Sequence, residues 1–188
     1  MLAEMFPQAK VDGFDFTHTG ISVAKSTYKH SNLSFYVKDI TKENIGEYDF
    51  ISMFEVLEHI ENWQFFLEQL VTNVNKYLML SFPTGRMRDY EIPGGHLRNF
   101  KKNEVETFLY QLGFKPITVY YAGFPFFSPI FRNVCGWFPN LYNKAKDCVL
   151  SKKLEYAHLI LYFLGRYCST RRQLGDQFVG LFERINTK

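Results

Sequence analysis

Cysteine is scarce. Cys135, Cys148 and Cys168 are the only three in 188 residues, and no two stand in a CxxC pair. The odd count and the wide spacing exclude a disulfide framework and a paired-cysteine zinc site, and fit reduced thiols in a cytoplasmic setting. Long apolar runs are also missing. The longest in the C-terminal region, "YAHLILYFL" (156–164), is about half of what a membrane span needs. The opening "MLAEMFPQAK" has no basic leader followed by an apolar run, so no signal peptide is expected, and it contains no glycine. Charge is sparse: 22% of residues are charged and the net is +3, which selects no class of partner. No internal repeat or low-complexity stretch is present.

Apolar residues make up 46% of the chain, enough for a real core and too many for a disordered type. The pattern predicts a helix tail over 2–8 that ends at Pro7, then strands over 10–16 and 33–40 around a helix at 19–28. "YDFISMF" (48–54) is a continuous apolar run, the kind buried on both faces of a parallel sheet. A helix over 62–74 and a buried strand over 76–83 follow. A polar, Gly-rich loop covers 84–100. A helix over 101–114 stops at Gly113, a strand covers 115–124, residues 126–172 read as helical and aromatic, and a final strand covers 175–185. Alternation of this kind asks for a parallel α/β sheet with helices on both faces.

In such sheets ligands bind outside the carboxyl ends of the strands. The residues at those ends are therefore the candidates: Asp15, Asp39, the stretch Phe54–His59, and Ser81–Thr84. The third stands out. "FEVLEHIENW" (54–63) sets Glu55, Glu58 and His59 at i, i+3 and i+4, one face if the segment is helical. A carboxylate in a first helical turn is also what the helix dipole favours, and Asp15 and Asp39 also read as turn-formers or helix caps.

The same residues, in order, resemble a class I S-adenosylmethionine (SAM)-dependent methyltransferase. "VDGFDFTHTGISVAK" is similar to the family's second strand and helix, and "YVKDI" to the segment that contacts adenine. "EYDFISMFEVLEHIENWQFFLEQL" resembles the fourth strand and the V-L-E-H segment, "GHLRNFKKNEVETFLYQLGFKP" the stretch before the sixth strand, and "GDQFVGLFERI" the last strand. The resemblance implies a Rossmann-like sheet, mostly parallel with an antiparallel last strand. It implies SAM as cofactor, with Asp15 and the adjacent Phe16 at the ribose, Asp39 and Ile40 at the adenine, and the backbone at Phe54 and Glu55 toward the methionine side.

The family's first strand and its Gly-rich D-x-G-x-G loop have no counterpart ahead of Asp15. The sequence therefore reads as a methyltransferase truncated at its N-terminus, whose two flanking strands are expected to lack a neighbour. Pairing with a second copy to complete the sheet is one remedy. The expected organisation is an incomplete SAM-binding core (1–125), a helical aromatic and basic insert over the acceptor (126–172), and the last core strand (173–188).

The resemblance implies methyl transfer to a hydroxyl of a small-molecule, sugar or lipid-linked acceptor, with His59 and His96 as acceptor-activating residues. The alternatives are an inactive fragment or interaction module, and a metal-assisted RNA 2′-O-methyltransferase. Some family members hold a divalent metal with E-x-x-E-H, and Glu55, Glu58, His59 and His96 match such a set; mixed nitrogen and oxygen ligands suit Mn²⁺ or Zn²⁺ better than Mg²⁺. Arg86, Arg88 and Arg98 around His96 are candidates for an anionic acceptor. Residues 132–172 carry eight Lys or Arg against Asp147 and Glu155, which suits a phosphorylated or lipid-linked acceptor or a peripheral membrane surface. No RNA-binding motif is visible, so no nucleic-acid partner is expected.

Overall fold

Two strand–helix–strand steps build the sheets in the computed structural model, which describes residues 2–137, 156, 159, 160, 162–164 and 174–185. The chain divides into two units, Met1–Gly46 and Glu47–Lys188.

In the first unit a short helix α1 (Leu2–Met5) precedes β1 (Val11–Asp15), α2 (His18–Thr27) and β2 (Leu33–Val37). β1 and β2 pair in parallel from Val11↔Leu33 to Asp15↔Val37. The turn from β1 into α2 is made by side chains. Thr17 caps the helix by accepting from the Gly20 amide, and Asp15 Oδ1 accepts from both the amide and the hydroxyl of Thr17. Asn32 ties the opening turn down by donating to the Ala3 and Ala9 carbonyls.

The second unit begins with β3 (Tyr48–Phe54), which matches the predicted apolar run, and continues through a 3-10 turn (Leu57–His59) to α3 (Trp63–Leu70) and β4 (Val74–Pro83). Asn62 caps α3. After the loop come α4 (Glu104–Gln111), β5 (Phe114–Ala122), α5 (Arg132–Trp137) and β6 (Gln177–Arg184). Gly113 ends α4 with φ +83°, the left-handed turn expected of it. The sheet order is β3-β4-β6-β5; β3 and β4 are parallel, and β6 runs antiparallel to both its neighbours.

This four-stranded sheet is sealed by aromatic packing. Phe82 of β4 stacks on Phe178 of β6 with ring centroids 4.3 Å apart. Phe82 also meets Phe100, and Trp63 of α3 packs edge-on against Phe100 and Phe108. Phe82, Phe100, Phe114, Phe178 and Phe182 are fully buried, and each such ring contributes about 1.5–3 kcal/mol relative to exposure.

The described strands fall into two hydrogen-bonded sheets. β1 and β2 form one sheet, and the other four strands form a second. The two strands predicted to flank the first strand of the family, β1 and β3, each ladder on one side only among the described residues. The predicted helix over 62–74 is shorter: its last residues tighten into a 3-10 turn (Val71–Asn73) and β4 begins at Val74. Most of the predicted helical insert over 126–172 lies outside the described residues. Its first part, Phe126–Phe131, is interrupted by an extended Ser128 before α5.

Candidate functional site

The end of β3 is where the polar residues collect. Glu55 leaves the strand with φ 54°, in the left-handed region that non-glycine residues seldom occupy. Its amide donates to the Ser81 carbonyl. Its carboxylate is held from two strands, since Oε1 accepts from Ser81 Oγ of β4 and from Gln177 Nε2 of β6, each at 2.7 Å. Backbone strain at a strand end, held by side chains from neighbouring strands, is a mark of a functional position.

The predicted one-faced helix over Glu55, Glu58 and His59 is not what forms. Leu57–His59 is a single 3-10 turn, and the left-handed Glu55 sits outside it. The tight turn sends Glu58 inward and leaves His59 at the surface. Glu58 is 0% exposed, and neither carboxylate oxygen has a hydrogen-bond partner among the described residues. Burial pushes its carboxyl up to about 8, and the negative charges of Glu55 and Glu91 add to the rise.

The loop after β4 closes on this turn. Leu97 donates its amide to the Glu58 carbonyl at 3.0 Å. Gly95 turns at φ +90°, and a Cβ there would stand 3.3 Å from His59 Nδ1, so the close approach needs glycine. His59 Nδ1 lies 2.9 Å from the Gly95 carbonyl. A carbonyl only accepts, so Nδ1 carries the proton, and in the neutral ring the lone pair is on Nε2. The His96 ring meets His59 edge to face at 4.9 Å. Its Nδ1 is buried with no well-formed hydrogen bond. Burial, then the charge of His59, lowers the His96 pKa, which keeps the ring neutral near pH 7. One ligand atom from each of Glu58, His59 and His96 lies within 4.8 Å of the others.

Of the four residues expected to hold a metal, three come together. Glu55 is committed instead to Ser81 and Gln177. Phe54 is half-exposed at the end of β3. In the other unit, Asp15 and Phe16 are exposed at the end of β1, and Asp15 Oδ1 accepts from the Thr17 amide and hydroxyl. Asp39 makes a similar local turn and adds an ion pair. Its Oδ1 accepts from the Thr41 amide and hydroxyl, and its Oδ2 pairs with Lys42 at 2.8 Å. These partners, Lys42 first, lower its pKa to about 2. Its carboxylate is spent on a local turn, while Ile40 beside it is partly exposed. Between residues 1 and 54 the glycines are Gly13, Gly20 and Gly46, so no D-x-G-x-G cradle for the methionine portion is among them.

The sequence reading missed a buried ionic network behind the loop. Arg132 of α5 donates to Glu91, and its guanidinium also lies 3.6 Å from Asp176, just before β6. Arg88 donates to Asn133 and lies 3.6 Å from the same Asp176, which also accepts from Ser128. Glu91 accepts from the Arg88 amide and from Asn99 as well. Arg88 is thus committed inside the protein and is no docking point for an anion. Arg132, counted as part of a basic insert, is 4% exposed. No local signal distinguishes these arginines from solvated ones, because the side chains that their guanidinium groups meet lie more than 40 residues away.

A family model described as a methyltransferase domain matches residues 1–119. No curated protein matches the chain in sequence. Among solved structures, the O-methyltransferase of a trans-AT polyketide synthase multienzyme of Brevibacillus brevis, in complex with S-adenosylhomocysteine (SAH), has 16% identity and a TM-score of 0.60; the match covers 98% of this chain and 61% of that one. The plantazolicin methyltransferase BpumL, with a desmethyl-plantazolicin analogue and SAH, has 14% identity and a TM-score of 0.58, over 98% and 71%. The magnesium protoporphyrin IX methyltransferase of Synechocystis PCC 6803 with bound SAM has 19% identity and a TM-score of 0.47; the match covers 57% of this chain and spans half of that protein's length. The matched residues and the order β3-β4-β6-β5 with an antiparallel β6 agree: the chain belongs to the methyltransferase domain family, of the class I SAM-dependent kind.

Proposed function

We propose that the chain acts in SAM-dependent methyl transfer to a hydroxyl of a small-molecule, sugar or lipid-linked acceptor, in a cytoplasmic setting. The observation that carries this reading is the fixed tautomer of His59. With Nδ1–H held by the Gly95 carbonyl, the Nε2 lone pair, 4.0 Å from Glu58 Oε1, takes the acceptor's proton as a general base once the hydroxyl comes within about 3 Å. His96 stays neutral beside it and leaves the base unopposed by a second positive charge. Asp15 is the residue for the ribose hydroxyls and Ile40 offers apolar surface to adenine, whereas Asp39 must release Lys42 to accept the amino group. Bound SAM supplies an electrophilic methyl group; the protein's share is orientation and the removal of one proton.

Calorimetric titration of the full chain with SAH tests this. Binding is expected, and Asp15→Ala weakens it about 10- to 100-fold, the loss of hydrogen bonds to a charged acceptor. No heat at millimolar SAH overturns the enzyme reading for this chain and leaves an inactive domain or interaction module.

The Glu58–His59–His96 cluster favours a second reading, metal-assisted transfer. A buried carboxyl and a buried imidazole nitrogen, neither well partnered, are groups a cation would satisfy, and bonds of about 2.1 Å would draw the three ligand atoms closer than they now stand. Their mixed chemistry selects Zn²⁺ or Mn²⁺ over Mg²⁺. Melting of the chelator-treated protein checks it. Zn²⁺ or Mn²⁺ at a hundredfold its dissociation constant is expected to add about 2.7 kcal/mol, and Glu58→Ala removes that gain. An unchanged melting temperature with either metal rejects this reading.

A further inference from the structure

The tautomer of His59 is set at the tip of a long loop, so whatever holds that loop also holds the base. Residues 84–100 leave β4 and return beside its end. Phe100 donates its amide to the Pro83 carbonyl at 3.1 Å, and Gly85 donates to the Phe100 carbonyl at 2.9 Å. These bonds close the foot of the loop. Gly95 lies well beyond them in the chain, too far for bonds at the foot to aim one carbonyl.

Glu91 bridges that distance. Its side chain is buried and clips the loop together. Oε2 accepts from the Arg88 amide at 2.7 Å and from Asn99 Nδ2 at 3.1 Å, which joins the outgoing arm to the returning one. Oε1 accepts from Arg132 of α5. An ionised carboxylate only accepts, so it can meet all three donors. The main chain of Glu91 carries the order on to the tip. Its carbonyl accepts from the amides of Gly94 at 3.0 Å and His96 at 3.3 Å, the two neighbours of Gly95. Gly95 donates to the Ile92 carbonyl, and its own carbonyl meets His59 Nδ1. One residue thus ties α5, both arms of the loop and the turn that faces the imidazole.

Stability alone does not ask for this arrangement. Apolar residues of similar volume often replace a buried ion pair without loss. A carboxylate with three donors beside the base therefore fits orientation better than folding energy. We propose that Glu91 is a positioning residue for His59: anchored by Arg132, it aims the Gly95 carbonyl at Nδ1 and so keeps the lone pair on Nε2. Its role rests on the reading of His59 as general base, and it acts through the loop, not on the acceptor.

The full chain, carrying 15N-labelled histidine and freed of metal by chelator, is read by long-range proton–nitrogen NMR at pH 8, where an ordinary imidazole is neutral. The two neutral tautomers give distinct nitrogen shifts, and the five histidines are told apart by single substitution to Gln. In the wild type His59 is expected to hold its proton on Nδ1. Arg132→Met with Glu91→Leu stays folded, yet the tautomer ratio moves toward the Nε2–H form about five- to tenfold, the strength of one neutral hydrogen bond. Asn99→Ala cuts one arm of the clip, keeps the ion pair and moves the ratio the same way by less. Asp176→Asn alters the other partner of Arg132 and leaves the ratio unchanged. A wild-type ratio in both the double variant and Asn99→Ala overturns the role of Glu91 and leaves the reading of His59 intact. An equal shift in Asp176→Asn also overturns it, since any loosening of the network would then suffice. A wild-type ring protonated on Nε2 overturns the lock itself, and with it the reading of His59 as the base.

Discussion

Glu58→Gln is expected to stabilise the metal-free protein at pH 8 and to leave its stability nearly unchanged at pH 4.5. The folded protein raises this carboxyl to about 8, against about 4.5 in an unfolded chain, chiefly by burial. A raised pKa means that the folded state holds the proton more tightly. The contribution is fully present below pH 4.5 and is lost as pH rises through 8. Glutamine cannot ionise and fills nearly the same volume, so the variant escapes that loss. The difference between the two proteins grows across this window and reaches a few kcal/mol in the variant's favour at its alkaline end. Denaturant unfolding at pH 4.5, 6.5 and 8.5 measures it, and a difference that does not change with pH rejects the argument. A cation at the cluster reverses the sign, because it supplies the missing partner for the ionised carboxylate and the variant cannot use it.

Arg132→Met is expected to cost about 3–5 kcal/mol, the usual penalty for stranding the partner of a buried ion pair. Arg132 and Glu91 are both nearly inaccessible to solvent. Burial alone raises a carboxyl, but the hydrogen bond and charge of Arg132, with help from the Arg88 amide and Asn99, hold Glu91 below its ordinary value. In the wild type this contribution is present above the usual carboxylate range and is lost as pH falls through the depressed pKa. Without the arginine the sign inverts, because an uncompensated Glu91 is driven up by burial, and the variant gains relative stability on acidification. Arg132→Met combined with Glu91→Leu is expected to recover most of the loss, since Asp176 keeps Arg88 and Ser128. Equal stability for the single and the double variant would falsify the account.

Much of the fold could be read from the sequence, because strands and stops carry local signals. The run Tyr48–Phe54 and the stop at Gly113 lie where pattern and turn chemistry put them. The candidate site was only partly legible. The residue set Glu58, His59 and His96 is visible, but not the turn that presents it, because helix and 3-10 turn share the same composition over so few residues. The left-handed Glu55 is held by Ser81 and Gln177, and Gln177 is more than 100 residues away, so nothing local marks it. Asp39 is the opposite case, since its partners are local. The Thr41 and Lys42 that occupy its carboxylate are two and three residues on, which is the turn-forming role its sequence position allowed.

The lock on His59 has a consequence for how this imidazole can change. Its partner is a main-chain oxygen, and no side-chain substitution deletes a main-chain oxygen. A carboxylate in that place would be open to mutation and to titration. Here the protonation pattern of the ring is inherited from the path of the chain through Gly95. The residue that sets the tautomer of His59 is therefore the one with no side chain, and any change of that tautomer must come from rerouting the loop.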